Sequence, residues 1–235
     1  MRVLGSSDLL ALWERGAARH ALDRSALLAA FARPDLAPET IAELPLGELT
    51  SSLLRLREAS FGARFRSHVD CERCGQRLEL TLDVRSLLQP VPNGGVSAGE
   101  IDVGALRVRA PSLFDLAAVA NEPDTERAAR RLLERCTIEG DASALSDAEL
   151  HEVEDRLEDL DPNADLAFLV HCASCGHDST TQLDAGVLLW DEIEAHARAL
   201  LGEVHLLARA YGWSEGEILA LSAARRAAYL AMVDA

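Results

Sequence analysis

Two short stretches decide the fold of this chain: CERCG at residues 71–75 and CASCG at residues 172–176. Each is a C-x-x-C motif followed by glycine, a spacing that lets two thiolates approach one metal ion from a tight turn. Two matching motifs predict one tetrahedral site for a single structural zinc ion, with Zn–S distances of about 2.3 Å. The predicted ligands are the thiolates of Cys71, Cys74, Cys172 and Cys175.

Strand-like sequences flank both motifs. Leu78, Leu80 and Leu82 alternate with polar residues after the first motif, and ADLAFLVHC and STTQLDAG enclose the second. Such alternation is typical of β-strands. A strand, a turn and a second strand, occurring twice, predict a zinc ribbon. Because residues 75–171 separate the two halves, the ribbon is split by a folded insertion.

Three histidines and a fifth cysteine are further candidate ligands or reactive groups. Since four cysteines already complete a tetrahedral zinc site, we interpret the nearby histidines as neighbours of the site; they are His68, His171 and His177. The fifth cysteine, Cys136, shares a helical face with Leu132 and is interpreted as a buried apolar residue. Thioredoxin-like redox chemistry is disfavoured because no βαβ pattern surrounds either motif.

Composition favours an α+β protein that is mostly α-helical. The chain is 49% hydrophobic but only 4% aromatic, with Ala and Leu dominant, which suits helices better than a β-sandwich. The net charge is −16, and all 23 basic residues are arginine. This acidic balance argues against non-specific binding to nucleic acid or to an anionic membrane surface.

The hydrophobic pattern of the sequence also bears on the cellular location. No apolar stretch approaches the roughly 20 residues of a membrane span, and the first residues lack a signal-peptide pattern. We therefore expect a cytoplasmic protein. In that compartment thiols are reduced, so paired C-x-x-C motifs indicate a metal site more often than a disulfide.

The chain divides into three predicted regions. Residues 1–65 form a helical N-terminal region, and residues 66–184 form the split zinc-ribbon domain, with an α-rich insertion at residues 85–165. Residues 185–235 form a C-terminal helical hairpin.

The N-terminal region contains several helix signals. Asp8 can cap the first helix. In LPLGELTSSLLRLREASFG, leucines 49, 53 and 56 step along one face, and Gly62 can end the helix. A local basic cluster is interpreted as a solvated face pairing with nearby acids, with a partner-binding face as the alternative; it contains Arg55, Arg57, Arg64 and Arg66.

The insertion is predicted to contain one strand and about three helices. Residues 89–100 form a loop rich in Pro and Gly, residues 105–110 form the strand, and Ser112 caps the helix that follows, with Asp115 completing the capping box. The acidic run ELHEVEDRLEDLD, residues 149–161, is interpreted as a solvated helix face. A docking surface for a basic partner is the alternative.

The C-terminal region has the clearest helical periodicity. An apolar stripe with steps of four and three predicts a long amphipathic helix that Gly212 ends; its members are Ile193, Ala197, Leu200, Val204, Leu207 and Tyr211. Ser214 and Glu217 form a capping box at the next helix. A helix-turn-helix that binds DNA is disfavoured by the acidic charge.

Signatures of catalysis are absent from the sequence. It has no phosphate-binding glycine loop with lysine, no G-x-S-x-G and no H-E-x-x-H. We therefore expect no catalytic residues, no enzyme activity and no small-molecule substrate.

Several stretches together resemble one family. They are LPLGELTSSLLRLREASFG, VRAPSLFDLAAVAN, LLERC, CASCGH and the C-terminal run LLWDEIEAHARALLGEVHLLARAYGWSEGEILALSAARRAAYL. They are similar to the baseplate hub assembly proteins of T-even-like contractile-tailed phages and of phage-tail-like contractile injection systems. The chain departs from that pattern at Glu48 and Thr50, where the family has Arg and Asp.

The resemblance implies a non-enzymatic assembly chaperone or minor structural component of a baseplate. Its implied partners are other baseplate, hub or spike proteins, and it acts in the cytoplasm of the producing cell or stays in the assembled tail particle. The expected partner-binding residues are Trp213, Glu217, Arg225, Arg226 and Tyr229, with a capped helical corner as the alternative. The alternative function is a zinc-ribbon nucleic-acid-binding or transcription accessory protein.

Overall fold

The computed structural model describes residues 3–89 and 99–233. The helices are α1 (Ser6–Gly16), α2 (Ala21–Ala32), α3 (Pro38–Ala42), α4 (Leu46–Phe61), α5 (Val84–Leu87), α6 (Leu113–Val119), α7 (Thr125–Cys136), α8 (Asp147–Leu160), α9 (Ala185–Tyr211), α10 (Glu215–Leu219) and α11 (Ala223–Val233). The strands are β1 (Arg64–Asp70), β2 (Arg77–Asp83), β3 (Glu100–Val103), β4 (Leu106–Arg109), β5 (Thr137–Glu139), β6 (Leu166–His171) and β7 (Asp178–Leu183). The α+β, mostly α class is therefore confirmed.

The main hydrophobic core, which we call the body core, lies where α1, α2 and α4 pack against the first half of α9. The leucine face of α4 predicted from the sequence points inward, and Leu54 and Leu56 are completely buried. On α9, Leu189 and Ile193 are also completely buried. The amphipathic stripe of α9 thus supplies the surface on which the N-terminal helices assemble.

Two antiparallel hairpins, β1–β2 and β6–β7, border this core. Arg64 pairs with Asp83 at the open end of the first hairpin, and Leu166 pairs with Leu183 at the open end of the second. The predicted alternation holds, because leucines 78, 80 and 82 are half-buried whereas Glu79 is exposed. The two C-x-x-C motifs form the turns at the opposite ends of these hairpins.

The insertion has its own small core. A three-stranded antiparallel sheet, in the order β3-β4-β5, packs against α7 and α8. The sequence predicted the central strand, and the structure adds β3 and β5. These strands are four and three residues long, and β5 follows α7 without a break, so neither leaves a clear periodic signal. The loop predicted at residues 89–100 falls mostly on residues 90–98, which lie outside the described residues.

The C-terminal hairpin folds back on the second half of α9. Gly212 ends α9 with a left-handed backbone (φ of 70°), as predicted. Ser214 and Glu217 form the expected capping box of α10. Ile218 is completely buried against Leu207. No helix in the described part of the chain is both long and apolar enough to cross a bilayer.

Two N-terminal predictions need correction. Helix α1 begins at Ser6, so Asp8 lies in its first turn and accepts a hydrogen bond from the Gly5 amide at 3.1 Å. Arg57 is only 2% exposed, so it is not on a solvated face. Its guanidinium donates to both carboxylate oxygens of Glu192 on α9, at 2.9 and 2.8 Å. Arg57 therefore joins two helices inside the protein.

Candidate metal centre

The first C-x-x-C motif forms a tight turn between β1 and β2. The Cys71 amide donates to the Gln76 carbonyl at 2.9 Å, and the Gly75 amide donates to the Cys71 carbonyl at 2.8 Å. Gly75 has a φ of 69°, a left-handed conformation that side chains other than glycine rarely adopt. Glycine at this position therefore lets the backbone complete the turn that carries both thiols.

The second motif repeats this turn between β6 and β7. The Cys172 amide donates to the His177 carbonyl at 2.9 Å, and the Gly176 amide donates to the Cys172 carbonyl at 2.8 Å. Gly176 has the same φ of 69°. Two turns from distant parts of the chain therefore have the same geometry, as a split zinc ribbon requires.

The two turns bring four sulfur atoms together. The Sγ atoms of the four cysteines lie within 4.8 Å of one another. The Sγ atoms of Cys71 and Cys175 are 3.7 Å apart, and those of Cys74 and Cys172 are also 3.7 Å apart. A tetrahedron of thiolates at about 2.3 Å from zinc has S···S separations of about 3.8 Å. A disulfide would need about 2.05 Å, so the spacing fits a shared metal ion and excludes a disulfide between these pairs.

Electrostatics also favour a bound cation. The backbone amide of Cys74, aided by that of Arg73 and by neighbouring thiols, lowers the pKa of Cys71 to about 6 despite burial. The His177 amide favours the Cys175 thiolate, but burial and three neighbouring thiols outweigh it and raise the pKa of Cys175 to about 12. The Cys71 thiol therefore ionises readily, whereas the Cys175 thiol resists further negative charge. A divalent metal ion supplies the positive charge that lets all four bind as thiolates.

The histidines near the motifs lie outside this cluster. In the described part of the chain, the group that could hold a metal contains the four cysteines and no histidine. The Nδ1 atom of His171 lies 2.7 Å from Oδ1 of Asp178, across the second hairpin. His68 faces solvent on β1. The positions of the four sulfur atoms are compatible with a Cys₄ site. Metal binding by these four cysteines stays a prediction.

The residues predicted to bind partners lie at the corner formed by α9, α10 and α11. Trp213 stacks on Tyr211 with ring centroids 4.7 Å apart, and Tyr229 meets Trp213 edge-on at 4.9 Å. Tyr211 is 38% exposed, so this aromatic group reaches the surface. Arg225, on α11, is exposed.

Two other members of that predicted set are engaged within the corner. Arg226 is only 5% exposed, and its guanidinium donates to Glu203 at 2.7 Å and to the Leu221 carbonyl at 2.8 Å. The Glu217 carboxylate accepts hydrogen bonds from Ser214. Both therefore stabilise the corner, and a binding role for the set stays a prediction.

The structure also reveals contacts that attach the insertion to the body. Asp161, just after α8, accepts a hydrogen bond from the Gly47 amide at 2.9 Å, in the first turn of α4. A side chain at position 47 would collide with Asp161, because a Cβ there would lie 1.9 Å from Oδ1. Asn163 exchanges two hydrogen bonds with the backbone of Gln89, at 2.8 and 3.0 Å. The Asp161 contact therefore attaches the insertion to α4, and the Asn163 contacts link the two ends of the insertion.

A buried ionic group organises the start of the insertion helices. Asp115 is completely buried, and its carboxylate accepts from Arg109 at 2.6 and 3.1 Å and from Arg135 at 3.2 Å. It also accepts from the Ser112 hydroxyl at 2.7 Å, completing the predicted capping box. Burial alone would raise the pKa of Asp115, but the hydrogen bonds from Arg109 and Ser112 outweigh it and lower the pKa to about 2.

Comparison with known proteins identifies the family. A model of the family described as T4 bacteriophage base plate protein matches residues 32–186. No curated protein and no solved structure matches the chain. The matched range covers both cysteine turns, the whole insertion and all of α4. The chain therefore belongs to the T4 bacteriophage base plate protein family.

Proposed function

We propose that this chain is a non-enzymatic assembly factor or minor structural component of a contractile-tail baseplate or hub, stabilised by one zinc ion. The family match carries the proposal, because it spans both cysteine turns and the insertion between them. The cysteine turns position the insertion relative to the body. We therefore propose that the protein functions through the binding surfaces that the insertion and the body present, and not through chemistry at the cysteines.

The metal is proposed to be structural zinc. Four thiolates fill a tetrahedral coordination sphere, whereas a catalytic zinc keeps one position open for water or substrate. The S···S separations of 3.7 Å suit such a closed site. Zinc bound there would hold β1–β2 against β6–β7 and so fix the base of the insertion. This role requires no substrate and supports a protein without enzyme activity.

The partners are proposed to be other baseplate, hub or spike proteins. A chain with a net charge of −16 is poorly suited to polyanions such as DNA and RNA. It is better suited to protein surfaces that carry a complementary positive charge. We propose that it acts in the cytoplasm of the producing cell during tail assembly. As a minor structural component, it would then stay in the finished particle.

The test is co-expression with each baseplate, hub and spike protein of the same gene cluster, followed by size-exclusion chromatography. We expect a stoichiometric complex with at least one of them and about one equivalent of zinc per chain. Failure to form any such complex would contradict the proposal. Salt-sensitive binding of DNA or RNA without complex formation would favour the alternative of a zinc-ribbon nucleic-acid-binding or transcription accessory protein.

A further inference from the structure

An apolar groove, which we call the α7–α8 groove, lies on the insertion between the two helices that give it its name. We infer that this groove binds a basic amphipathic segment of another baseplate protein, an inference that rests on the proposed function and names the surface involved. The groove has a volume of about 400 Å³, within the roughly 300–1,000 Å³ of ordinary ligand pockets.

The floor of the groove is made of leucines that the insertion core does not fully cover. Val153 and Cys136 are almost completely buried below it. Above them lie half-buried side chains from both helices, namely Leu132, Leu133, Leu150 and Leu157. Apolar surface exposed in a groove between two helices favours burial against a partner's apolar side chains.

The α7 side of the groove is electrically neutralised. Arg130 lines the groove and pairs with Glu126 one turn earlier, at 3.3 Å. Arg127 and Arg131 both pair with Glu122, at 2.8 and 3.4 Å. These three arginines of α7 are therefore paired with acids of α7 itself or of the segment just before it. The charge of a partner matters less on this side.

The α8 side, in contrast, is strongly acidic, and Arg156 is the one arginine of that helix. Glu154 lines the groove. Glu158 follows it one turn later on α8, and helical periodicity places it near the same side of the helix. Five exposed acids of α8 have carboxylates that form no ion pair or hydrogen bond with a described residue; they are Glu152, Glu154, Asp155, Glu158 and Asp159. A partner that places arginine or lysine beside this rim would gain the attraction that the chain itself does not provide.

The two sides together define the partner. An amphipathic helix that lies in a groove inserts apolar residues spaced at i, i+3, i+4 and i+7. Its flank nearer α8 should be basic, while the charge of the flank nearer α7 matters less. The acidic run 149–161 is then one rim of a docking surface and not only a solvated helix face.

The inference can be tested with a designed peptide. The probe is a fluorescent 15-residue helix with leucines at the four anchor positions and arginines on one flank, and its counterpart carries glutamates in place of the arginines. We expect the purified full-length protein to bind the arginine peptide at least tenfold more tightly, by fluorescence anisotropy at low salt. Equal binding of the two peptides, or no binding of either, would overturn the inference.

Two matched double variants localise the binding. Glu154→Arg with Glu158→Arg reverses the rim of the groove, whereas Glu152→Arg with Asp159→Arg makes the same charge change on the opposite face of α8. All four residues are exposed, so both proteins should fold, which circular dichroism would verify. The rim variant should lose at least tenfold in affinity for the arginine peptide and the control much less. Equal losses would mean general electrostatic attraction and would overturn the inference.

Complex formation separates this inference from the proposed function. If the wild-type chain forms a complex with a baseplate protein, the rim variant should weaken it at least tenfold. An undiminished complex would remove the groove as the interface while leaving the proposed function intact. If the wild-type chain forms no complex, the proposed function fails, and the peptide comparison still decides whether the groove prefers basic segments.

Discussion

The body and the insertion are stabilised in different ways. Among the described residues, the body core contains 19 buried apolar residues, whereas the insertion core contains six. A core of six residues contributes little hydrophobic free energy relative to the chain entropy lost on folding. The insertion relies in addition on polar contacts, notably the internal ionic group at Asp115 and the hydrogen bond between Asp161 and Gly47 of the body. The difference shows why the insertion depends on its anchor to the body.

The largest expected effect comes from disrupting the cysteine cluster at the base of the insertion, where we propose that zinc binds. Cys172→Ser should lower zinc content below half an equivalent and destabilise the protein by several kcal/mol, since structural zinc in small modules binds with about 10–16 kcal/mol. Hydrogen exchange should show lost protection in both hairpins and in the insertion, with the helices of the body core affected less.

Cys136→Ser is the control for that substitution. Cys136 is 2% exposed and lies in the insertion core, outside the cysteine cluster. We expect it to keep a full equivalent of zinc, because only its burial is disturbed. Equal zinc loss in both variants would contradict the ligand set.

The next largest effects compare the two cores directly. Leu54→Ala should cost about 2–5 kcal/mol and lower global stability, because Leu54 is completely buried in the body core. Val153→Ala, in the insertion core, should cost about 2 kcal/mol. Amide hydrogen exchange should be measured at increasing urea concentrations below the global unfolding transition. In the Val153 variant, the amides of the insertion should lose protection while those of the body keep it. A single cooperative loss in both variants would show that the two cores unfold together.

A smaller effect is expected at Asp115. Asp115→Asn should cost about 1–3 kcal/mol at neutral pH, because Arg109 and Arg135 lose a charged acceptor. The folded state lowers the pKa of Asp115 from 3.8 to about 2, so its contribution is present above pH 4 and is lost as the pH falls from 4 towards 2. Stability measured across that window should therefore fall less steeply in the variant than in the wild type.

The smallest effect is expected at Asp161. Burial raises the pKa of this carboxyl group, the Gly47 amide opposes the shift, and the charge of Glu48 adds to it. The Oδ1 atom of Asp161 is buried with no hydrogen-bond partner among the described residues. Because the folded state holds the proton more tightly, Asp161 weakens stability at neutral pH and this penalty disappears as the pH falls.

Asp161→Asn should accordingly leave stability at neutral pH equal to or above that of the wild type. The amide oxygen can still accept from the Gly47 amide, and no charge is buried. Chemical denaturation at pH 7 and at pH 4 checks both the size and the sign. A loss of more than about 2 kcal/mol at pH 7 would mean that the charge itself is required.

Local signals in the sequence predicted much of the fold. The C-x-x-C-G pattern at Cys71 and Cys172 predicted both turns, because the ligand spacing and the left-handed glycine belong to the same few residues. The capping boxes at Ser112 and Ser214 and the end of α9 at Gly212 were predicted for the same reason. The cysteine cluster was predicted because two matching motifs indicate a single site.

The contacts that the sequence did not predict join residues far apart in the chain. Arg57 and Glu192 are 135 positions apart, and Gly47 and Asp161 are 114 apart. The local sequence around an arginine does not indicate a carboxylate partner that is far away in the chain. Arg57 was therefore predicted to lie on a solvated face. The α7–α8 groove was not predicted either, since the acidic run indicated one rim but not the half-buried leucines that line the groove.

The position of the cysteine cluster has a consequence for how this family can change over evolutionary time. The conformational entropy lost when the two ends of a loop are brought together grows only slowly with the length of the loop. Doubling that length costs only about 0.6 kcal/mol more. An insertion held at its base by Cys71, Cys74, Cys172 and Cys175 can therefore grow, shrink or be replaced by a different lobe with little cost to the body. Relatives could diversify their docking surfaces in this way while inheriting an unchanged scaffold.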